Sequence, residues 1–156
     1  MIIDQVLKGH ELFAALTPDE IHELSKFSSE KEFMAGESIF EYNQYCSHFY
    51  MLREGLVYLQ LPANPKEFSF AISKIETGEL FGLSPILEGK RYTATAKCFE
   101  ATNVLSIEAQ PFRELLKTNA LVGLSTINSI ARIYYVRYLN LLKRLQDIVS
   151  QVSMVR

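Results

Sequence analysis

The sequence predicts a mainly β fold: a double-stranded β-helix, or jelly-roll barrel, of about eight strands with flanking helices. Residues 31–107 form short runs rich in Phe, Tyr, Ile, Val and Thr that Gly or Pro interrupts at regular intervals, and such spacing is typical of a closed β roll. Both ends of the chain instead show helical spacing of apolar residues. We therefore expect a single domain over residues 1–156, with N-terminal helices in 1–30, the β roll in 31–108 and C-terminal helices in 109–156.

The overall composition indicates a folded protein without a strong electrostatic field. The chain has 156 residues, of which 48% are hydrophobic and 22% charged, and its formal net charge is −2. This balance is typical of globular proteins and does not by itself attract nucleic acid or an anionic membrane. No apolar run reaches the ~18 residues of a membrane span, and the N-terminus has no signal-peptide pattern. We therefore expect a cytoplasmic protein.

A short N-terminal helix is predicted from its capping residues. Thr17 can accept a hydrogen bond from a free helical amide, Pro18 suits the first helical position, and Glu20 completes a capping box. The helix is expected to end near Phe27. Its core-facing positions, by helical spacing, are Leu16, Ile21, Leu24 and Phe27.

The central strands include one pair with a clear turn signal. In the run HFYMLREGLVYLQL, the dipeptide Glu54-Gly55 separates two apolar stretches. An acidic residue followed by Gly is a typical two-residue hairpin turn. We therefore expect the two strands to form a tight hairpin.

Cysteine and histidine residues are too scattered to predict a metal site. The only two cysteines are Cys46 and Cys98, and we expect both to be small buried apolar side chains. Cys46 and His48 could supply two ligands, but a third and a fourth are missing nearby, since His10 and His22 lie on a separate segment. The sequence also has no P-loop and no grouped catalytic residues. We expect neither a metal centre nor an enzyme.

The C-terminal part of the chain predicts two helices. Pro111 begins a short one, and a long one starts near Ala120, because no proline and no glycine after Gly123 interrupts the sequence. In the long helix, apolar residues recur at alternating spacings of four and three, which is the seam of a coiled coil. The seam consists of Ile127, Ala131, Tyr134, Tyr138, Leu141, Leu145, Ile148 and Val152.

Two partners would satisfy this seam: the chain's own β roll, or the same helix of a second copy. A second apolar stripe, formed by Ile130, Ile133, Leu142 and Val149, runs beside the first. One stripe can therefore cover the roll while the other meets a partner, and monomers rarely expose so large an apolar patch. We expect a two-fold homodimer through the long helix.

The order of elements and several motifs resemble the cyclic-nucleotide-binding domain family. The motifs are LFAALTPDEIHEL near the N-terminus, FMAGESIFEYNQYCSHFYMLREGLVYL in the early strands, and GELFG before the expected ligand loop. The family includes the sensor domains of catabolite-activator-type transcription factors and the regulatory subunits of cyclic-nucleotide-dependent kinases. The resemblance covers nearly the whole chain and implies a β roll that binds a ligand beside a long helix.

The family's phosphate-binding cassette is degenerate in this chain. The resemblance implies the pattern Phe-Gly-Glu-Leu-Ala, a short loop, and then Arg-Ala-Ala-Thr on a strand, with the Glu and the Arg reading the ribose and the phosphate. Phe81 and Gly82 match this pattern, but Leu83 replaces the Glu and Tyr92 replaces the Arg. Arg91 is one residue away, and alternation along a strand turns it out of the pocket unless a shortened loop restores it.

The two replacements predict weak or altered nucleotide binding. Each charge-assisted hydrogen bond contributes ~1.5 to 3 kcal/mol, so the two losses lower the affinity by two to four powers of ten. The remaining groups that could contact a small anionic ligand are backbone amides of the loop, side chains of the following strand and one helix arginine. These candidates are Gly82, Leu83, Ser84, Arg91, Tyr92, Thr93 and Arg137. Alternatively, Tyr92 plugs the cavity and Arg137 is a solvated helix charge.

Two functions remain open from the sequence. The first is a stand-alone ligand-sensing regulatory domain that signals as a dimer to a separate effector protein. The second is a ligand-free structural or interaction module that acts through its dimer surface. Direct DNA binding is not expected, because the chain stops at Arg156 without a helix-turn-helix unit. The basic residues of the long helix lie on different sides of it and are expected to be solvated; they are Arg132, Arg137, Lys143 and Arg144.

Overall fold

Two antiparallel four-stranded sheets face each other and form the predicted jelly roll. The computed structural model describes residues 2–62 and 69–153; Met1, residues 63–68 and residues 154–156, including Arg156, lie outside the described part. The strands are β1 (Ser28–Phe33), β2 (Ser38–Phe40), β3 (His48–Glu54), β4 (Val57–Pro62), β5 (Ser69–Ile75), β6 (Leu80–Phe81), β7 (Thr95–Cys98) and β8 (Thr102–Glu108). One sheet has the order β1-β8-β3-β6 and the other the order β2-β7-β4-β5.

Helices cover the first sheet and the end of the roll. The N-terminal segment contains α1 (Ile2–Lys8), a 3-10 turn (Glu11–Phe13) and α2 (Pro18–Ser25), and the C-terminal segment contains α3 (Ala109–Thr118) and α4 (Ala120–Ser153). The order of short helices, eight strands and a long final helix is the predicted one. No helix in the described ranges is long and apolar enough to cross a membrane.

The predicted hairpin at Glu54-Gly55 is wrong. Strand β3 pairs with β6 and β8, whereas β4 pairs with β5 and β7, so the chain crosses from one sheet to the other at this turn. Gly55 has a φ of +112°, and a Cβ there would lie 2.4 Å from Thr102 Oγ1 and 2.7 Å from the Ala101 carbonyl oxygen. The turn signal was correct, but burial of β3 on both faces decides its partners.

Two hydrophobic cores lie on opposite faces of β3. Phe49 and Met51 pack with the helices in the first core, whereas Tyr50 and Leu52 face the interior of the roll in the second. This split follows from the alternation of side chains along a strand. Because β3 is buried on both faces, its register determines how the helices and the roll fit together.

The helix predicted at Thr17 is confirmed, but its end is earlier than expected. The Thr17 hydroxyl accepts a hydrogen bond from the Glu20 amide at 3.2 Å, and Ile21 and Leu24 are buried. Phe27 is 42% exposed and does not belong to the core-facing stripe. The reason is that α2 ends at Ser25, so that Phe27 leads into β1 and its carbonyl accepts a hydrogen bond from the Glu108 amide at 3.0 Å.

The long helix starts where predicted, after a single intervening residue. Asn119 separates α3 from α4, and its side-chain oxygen accepts hydrogen bonds from the amides of Leu121 and Val122 at 3.1 and 3.4 Å. Helix α3 begins two residues before Pro111, the predicted start. Within α4, Val122 and Ile130 are buried in the first core.

One of the two cysteine predictions is wrong. Cys98 is buried, but Cys46 is only partly buried, and its thiol donates a hydrogen bond to the Gly89 carbonyl at 3.1 Å. Cys46 lies in the segment between β2 and β3, outside the strands. Alternation along a strand therefore does not direct its side chain into the core.

Replacing Gly55 with alanine will destabilise the fold more than replacing Gly36. Both glycines have positive φ, which costs a side-chain-bearing residue ~1 to 3 kcal/mol. Only Gly55 also meets close neighbours, since nothing lies within 4 Å of a Cβ at Gly36. We expect Gly55→Ala to lose a further ~1 to 3 kcal/mol from overpacking, measured by urea unfolding of both variants. Equal losses would contradict the close approach of this turn to Thr102.

Candidate functional site

A cavity of ≈ 200 Å³ lies between the roll and α4. We call it the inner cavity. The sheets contribute Phe40, Leu59, Ile72 and Ser73; the loop after β6 contributes Gly82, Leu83 and Ser84; the segment before β7 contributes Tyr92, Thr93 and Ala94; and α4 contributes Tyr134, Arg137, Tyr138 and Leu141. Six of the seven candidate residues from the sequence therefore line one cavity, and Arg91 does not.

The loop after β6 presents its backbone to the inner cavity. Gly82 has a φ of +68°, and a Cβ there would lie 2.9 Å from Phe40 Cε2. The carbonyl of Ser84 accepts hydrogen bonds from the amides of Leu87 and Gly89, but no hydrogen bond to a described residue engages the amides of Gly82, Leu83 or Ser84. All three residues belong to the lining of the inner cavity.

The side chain of Leu83 is part of a hydrophobic core. It is 1% exposed and packs in the first core with the helices. The resemblance implies a glutamate at this position, which would read a ribose hydroxyl. An apolar side chain in the core cannot accept a hydrogen bond, so the loop keeps its backbone shape without this acceptor.

Tyr92 forms one wall of the inner cavity. It is 4% exposed, and its ring stacks on Phe40 with centroids 3.8 Å apart. Its hydroxyl donates a hydrogen bond to the His48 carbonyl at 2.5 Å, and burial raises the pKa of Tyr92 far above its usual value. The ring therefore occupies the position where the resemblance implies an arginine, and its hydroxyl proton is already used.

Arg91 points away from the inner cavity, as alternation along the chain predicts. Its side chain is exposed and donates a hydrogen bond to the Asn43 carbonyl at 2.7 Å. The guanidinium carbon lies 3.9 Å from the centroid of the Tyr45 ring, an arrangement that favours a cation–π contact. Arg91 therefore lies outside the lining of the inner cavity, unlike the other six candidate residues.

Arg137 is the one charged side chain that lines the inner cavity. It is half-buried rather than a solvated helix charge, and its guanidinium donates a hydrogen bond to the Leu80 carbonyl. Burial lowers the pKa of Arg137, and the negative charge of Glu79 partly offsets this effect. The guanidinium therefore puts a positive charge beside the aromatic wall.

Arg137 also borders a second, larger space, which we call the outer groove. The groove has a volume of ≈ 620 Å³ and lies between α4, β5 and the turn before β6. Its charged lining residues are Glu11, Lys74, Glu76, Glu79, Arg132, Arg137 and Arg144. Most of these charges are already engaged, since Arg132 pairs with Glu11 at 2.5 Å and Lys74 with Glu76 at 3.6 Å.

The helical spacing did not reveal that part of the seam lines the inner cavity; the family resemblance alone had implied a ligand contact near Arg137 and Tyr138. Tyr134, Tyr138 and Leu141 were assigned to the seam by their spacing, and all three belong to the cavity lining. Burial raises the pKa of Tyr134, whereas nearby Arg137 lowers it. A seven-residue spacing reports which helix face is apolar, but it does not report which of two neighbours that face contacts.

The polar residues of the described ranges do not form a metal cluster. No three His, Cys, Asp or Glu side chains there are close enough together to hold a metal ion. The lining of the inner cavity instead combines apolar side chains, aromatic rings, three aliphatic hydroxyls, three phenols and one guanidinium. This combination can bind an anion or a ring by non-covalent contacts.

Comparison with known proteins connects this geometry to one family. The sequence model described as "Cyclic nucleotide-binding domain" matches residues 30–119, which include most of the roll and the loop after β6. No curated protein matches the chain.

Solved structures share the fold. A putative cyclic nucleotide-binding protein from Geobacter metallireducens GS-15 has a TM-score of 0.75 at 26% identity, covering 88% of this chain and 99% of that chain. The sensor domain of the transcriptional regulator DNR from Pseudomonas aeruginosa has a TM-score of 0.77 at 19% identity, covering 88% and 91%. The regulatory domain of Toxoplasma gondii PKA, crystallised with cAMP, has 0.69 at 17%, covering 83% and 49%. The last two show a common fold alone.

Removing the hydroxyl of Tyr92 will destabilise the roll. In Tyr92→Phe the ring stack on Phe40 remains, but the His48 carbonyl loses its donor, which costs ~1 to 3 kcal/mol for a buried acceptor. Tyr45→Phe is the matched control, because Tyr45 is exposed, and we expect its free energy of unfolding to change by less than about 0.5 kcal/mol. Urea unfolding measures both. Equal stability of the two variants would show that the Tyr92 hydroxyl is dispensable.

Proposed function

This chain belongs to the cyclic nucleotide-binding domain family, and we propose that it is a ligand-sensing regulatory domain that signals as a homodimer. The proposed role is non-catalytic: the inner cavity binds a small molecule, and α4 transmits its occupancy to a separate effector protein. The expected location is the cytoplasm. Direct DNA binding forms no part of the proposal.

The observation that carries the proposal is that one helix face serves two purposes. Tyr134, Tyr138 and Leu141 line the inner cavity and also belong to the apolar seam expected between two copies. A ligand that contacts these side chains changes the surface that a second copy meets. Binding and dimer geometry are therefore linked through the same three residues, as a sensor requires.

The proposed dimer interface is supported by the exposed apolar side chains of α4. In the isolated chain, Leu145 is 56%, Ile148 46% and Val152 69% exposed, and all three follow the seam spacing. Monomeric proteins rarely keep a contiguous apolar surface of this kind in water. The second stripe divides: Ile130 is buried against the chain's own core, whereas Leu142 and Val149 are exposed beside the seam.

Weak binding of cyclic nucleotides is the expected specificity. Leu83 lies in the core and offers no ribose acceptor, and Tyr92 occupies the place of the phosphate-binding arginine. The inner cavity of ≈ 200 Å³ is also smaller than the ~300 to 1,000 Å³ of typical ligand pockets. A nucleotide therefore lacks both its charge partners and part of its space.

A ligand-free interaction module is the second candidate. The tight stack of Tyr92 on Phe40 favours it, because an aromatic side chain already fills part of the roll where a ligand would lie. In this role, the dimer surface of α4 acts without any small molecule. Binding experiments distinguish the two candidates.

Cyclic AMP will show no saturable binding at micromolar concentrations. The two missing charge partners remove ~3 to 6 kcal/mol of interaction. Arg91 does not replace them, because its side chain lies outside the inner cavity and contacts Asn43. Isothermal titration calorimetry of the unmodified protein measures this, with Arg91→Ala as the matched control. Micromolar binding that Arg91→Ala abolishes would contradict the degenerate cassette.

A double substitution on the seam will dissociate the dimer. Leu145→Asp with Ile148→Asp puts two carboxylates into the proposed interface without touching the inner cavity, and sedimentation measures the resulting mass. Leu139→Asp is the control on the same helix: Leu139 is also exposed, but it lies ~130° round the helix from the centre of the seam. We expect a monomer for the double variant and a dimer for the control. A dimer in both cases would exclude the seam as the interface.

A further inference from the structure

We propose that the inner cavity binds a small aromatic carboxylate, a single ring with one anionic group, in place of a nucleotide. This inference rests on the proposed ligand-sensing function and names its ligand class. Three properties of the cavity lead to it: its volume, its aromatic wall, and its single unpaired positive charge.

The volume fits one ring with a small substituent. An engineered apolar cavity of about 150 Å³ holds a benzene molecule, and the inner cavity measures ≈ 200 Å³. The additional space corresponds to a group of about three heavy atoms, such as a carboxylate. A purine joined to a ribose and a phosphate is more than twice as large as this ligand.

The wall of the cavity favours an aromatic guest. Phe40 and Tyr92 stack on each other, and Leu59, Ile72 and Leu141 provide aliphatic contact around them. Aromatic rings bind well to such surfaces, because offset and edge-to-face contacts add to the burial of apolar area. A sugar or a polyol would leave its hydroxyl groups unpaired against these side chains.

The charge of the cavity favours an anion. No acidic side chain is part of its lining, and Arg137 is its only ionised member. Among the described residues, Arg137 takes part in no ion pair. Glu79 is the carboxylate whose negative charge acts on Arg137, and it lines the outer groove rather than the inner cavity.

Arg137 has donors left for a carboxylate. A guanidinium carries five N–H donors, and one of them is used by the Leu80 carbonyl. The other donors suit a two-pronged contact with a carboxylate, and Ser84 and Thr93 belong to the same lining. An anion here also adds a direct partner to a half-buried charge that forms no ion pair among the described residues.

The test compares four compounds on the unmodified protein by calorimetry and by NMR shifts of the lining residues. Benzoate has the ring and the charge, benzyl alcohol has the ring alone, acetate has the charge alone, and cyclic AMP is the family ligand. We expect benzoate to bind at least about tenfold more tightly than benzyl alcohol and acetate, since a charged hydrogen bond changes affinity by about 10- to 150-fold. The shifted residues should include Tyr92, Tyr134 and Arg137.

Two variants test the role of Arg137. Arg137→Gln removes the charge and keeps a polar side chain, and we expect benzoate affinity to fall by about 10- to 150-fold. Arg132→Gln removes another α4 charge that lines only the outer groove, and benzoate affinity should change by less than about twofold. Circular dichroism confirms that both variants are folded. If Arg137→Gln does not fold, the comparison of benzoate with benzyl alcohol on the unmodified protein still tests whether the carboxylate contributes to binding.

The outcomes distinguish a failure of this inference from a failure of the proposed ligand-sensing function. Equal binding of benzoate and benzyl alcohol would overturn the role of charge and with it the ligand class. Tighter binding of cyclic AMP than of benzoate would overturn the ligand class and leave the sensor intact. No binding of any of the four compounds by a protein that still dimerises would overturn the ligand class as well, and it would also favour the ligand-free module.

Discussion

Strand β3 has to satisfy two hydrophobic cores at once, and most of the architecture follows from this requirement. Its side chains alternate, so that Phe49 and Met51 hold the helices while Tyr50 and Leu52 close the roll. A strand that is buried on both faces cannot slip by one residue without exchanging the two sets. The same register puts Leu80 and Phe81 of β6 opposite Met51 and Tyr50, and it thereby fixes where the loop after β6 begins.

Burial also alternates in the segment just before β7, although this segment is not a regular strand. Tyr92 and Ala94 are buried, whereas Arg91 and Thr93 are exposed. A positive charge one position away from the expected place is therefore directed to solvent, where it contacts Tyr45. The phenol of Tyr92 donates its hydrogen bond to the His48 carbonyl. The positive charge of the cavity comes from Arg137 on α4.

Local patterns in the sequence predicted the helices and strands themselves better than they predicted which elements pair or pack together. The cap at Thr17 and the start of α4 could be read from the chain because their causes lie within a few residues. The prediction of a hairpin at Glu54-Gly55 was wrong because strand pairing depends on partners that are distant in the sequence. The prediction that Cys46 is buried was wrong because burial outside a strand follows no regular period. Six candidate residues line one cavity, since a family pattern preserves spacing, but no periodicity could show that Tyr134 and Tyr138 reach it.

Helix α4 is joined to the anchored helix α3 by the single residue Asn119 and extends far beyond its last fully buried residue, so that it can act as a lever. Phe112 anchors α3 in the first core, and Ile130 is the last fully buried residue along α4. From Ile130 to Ser153 the helix extends for about 35 Å at 1.5 Å per residue. Arg137 and Arg144 hold this stretch to the roll by donating to the carbonyls of Leu80 and Ala71. A shift of these contacts that tilts α4 by about 5° around Ile130 displaces the far end by ~3 Å, which is enough to move a side chain from one interhelical hole toward the next.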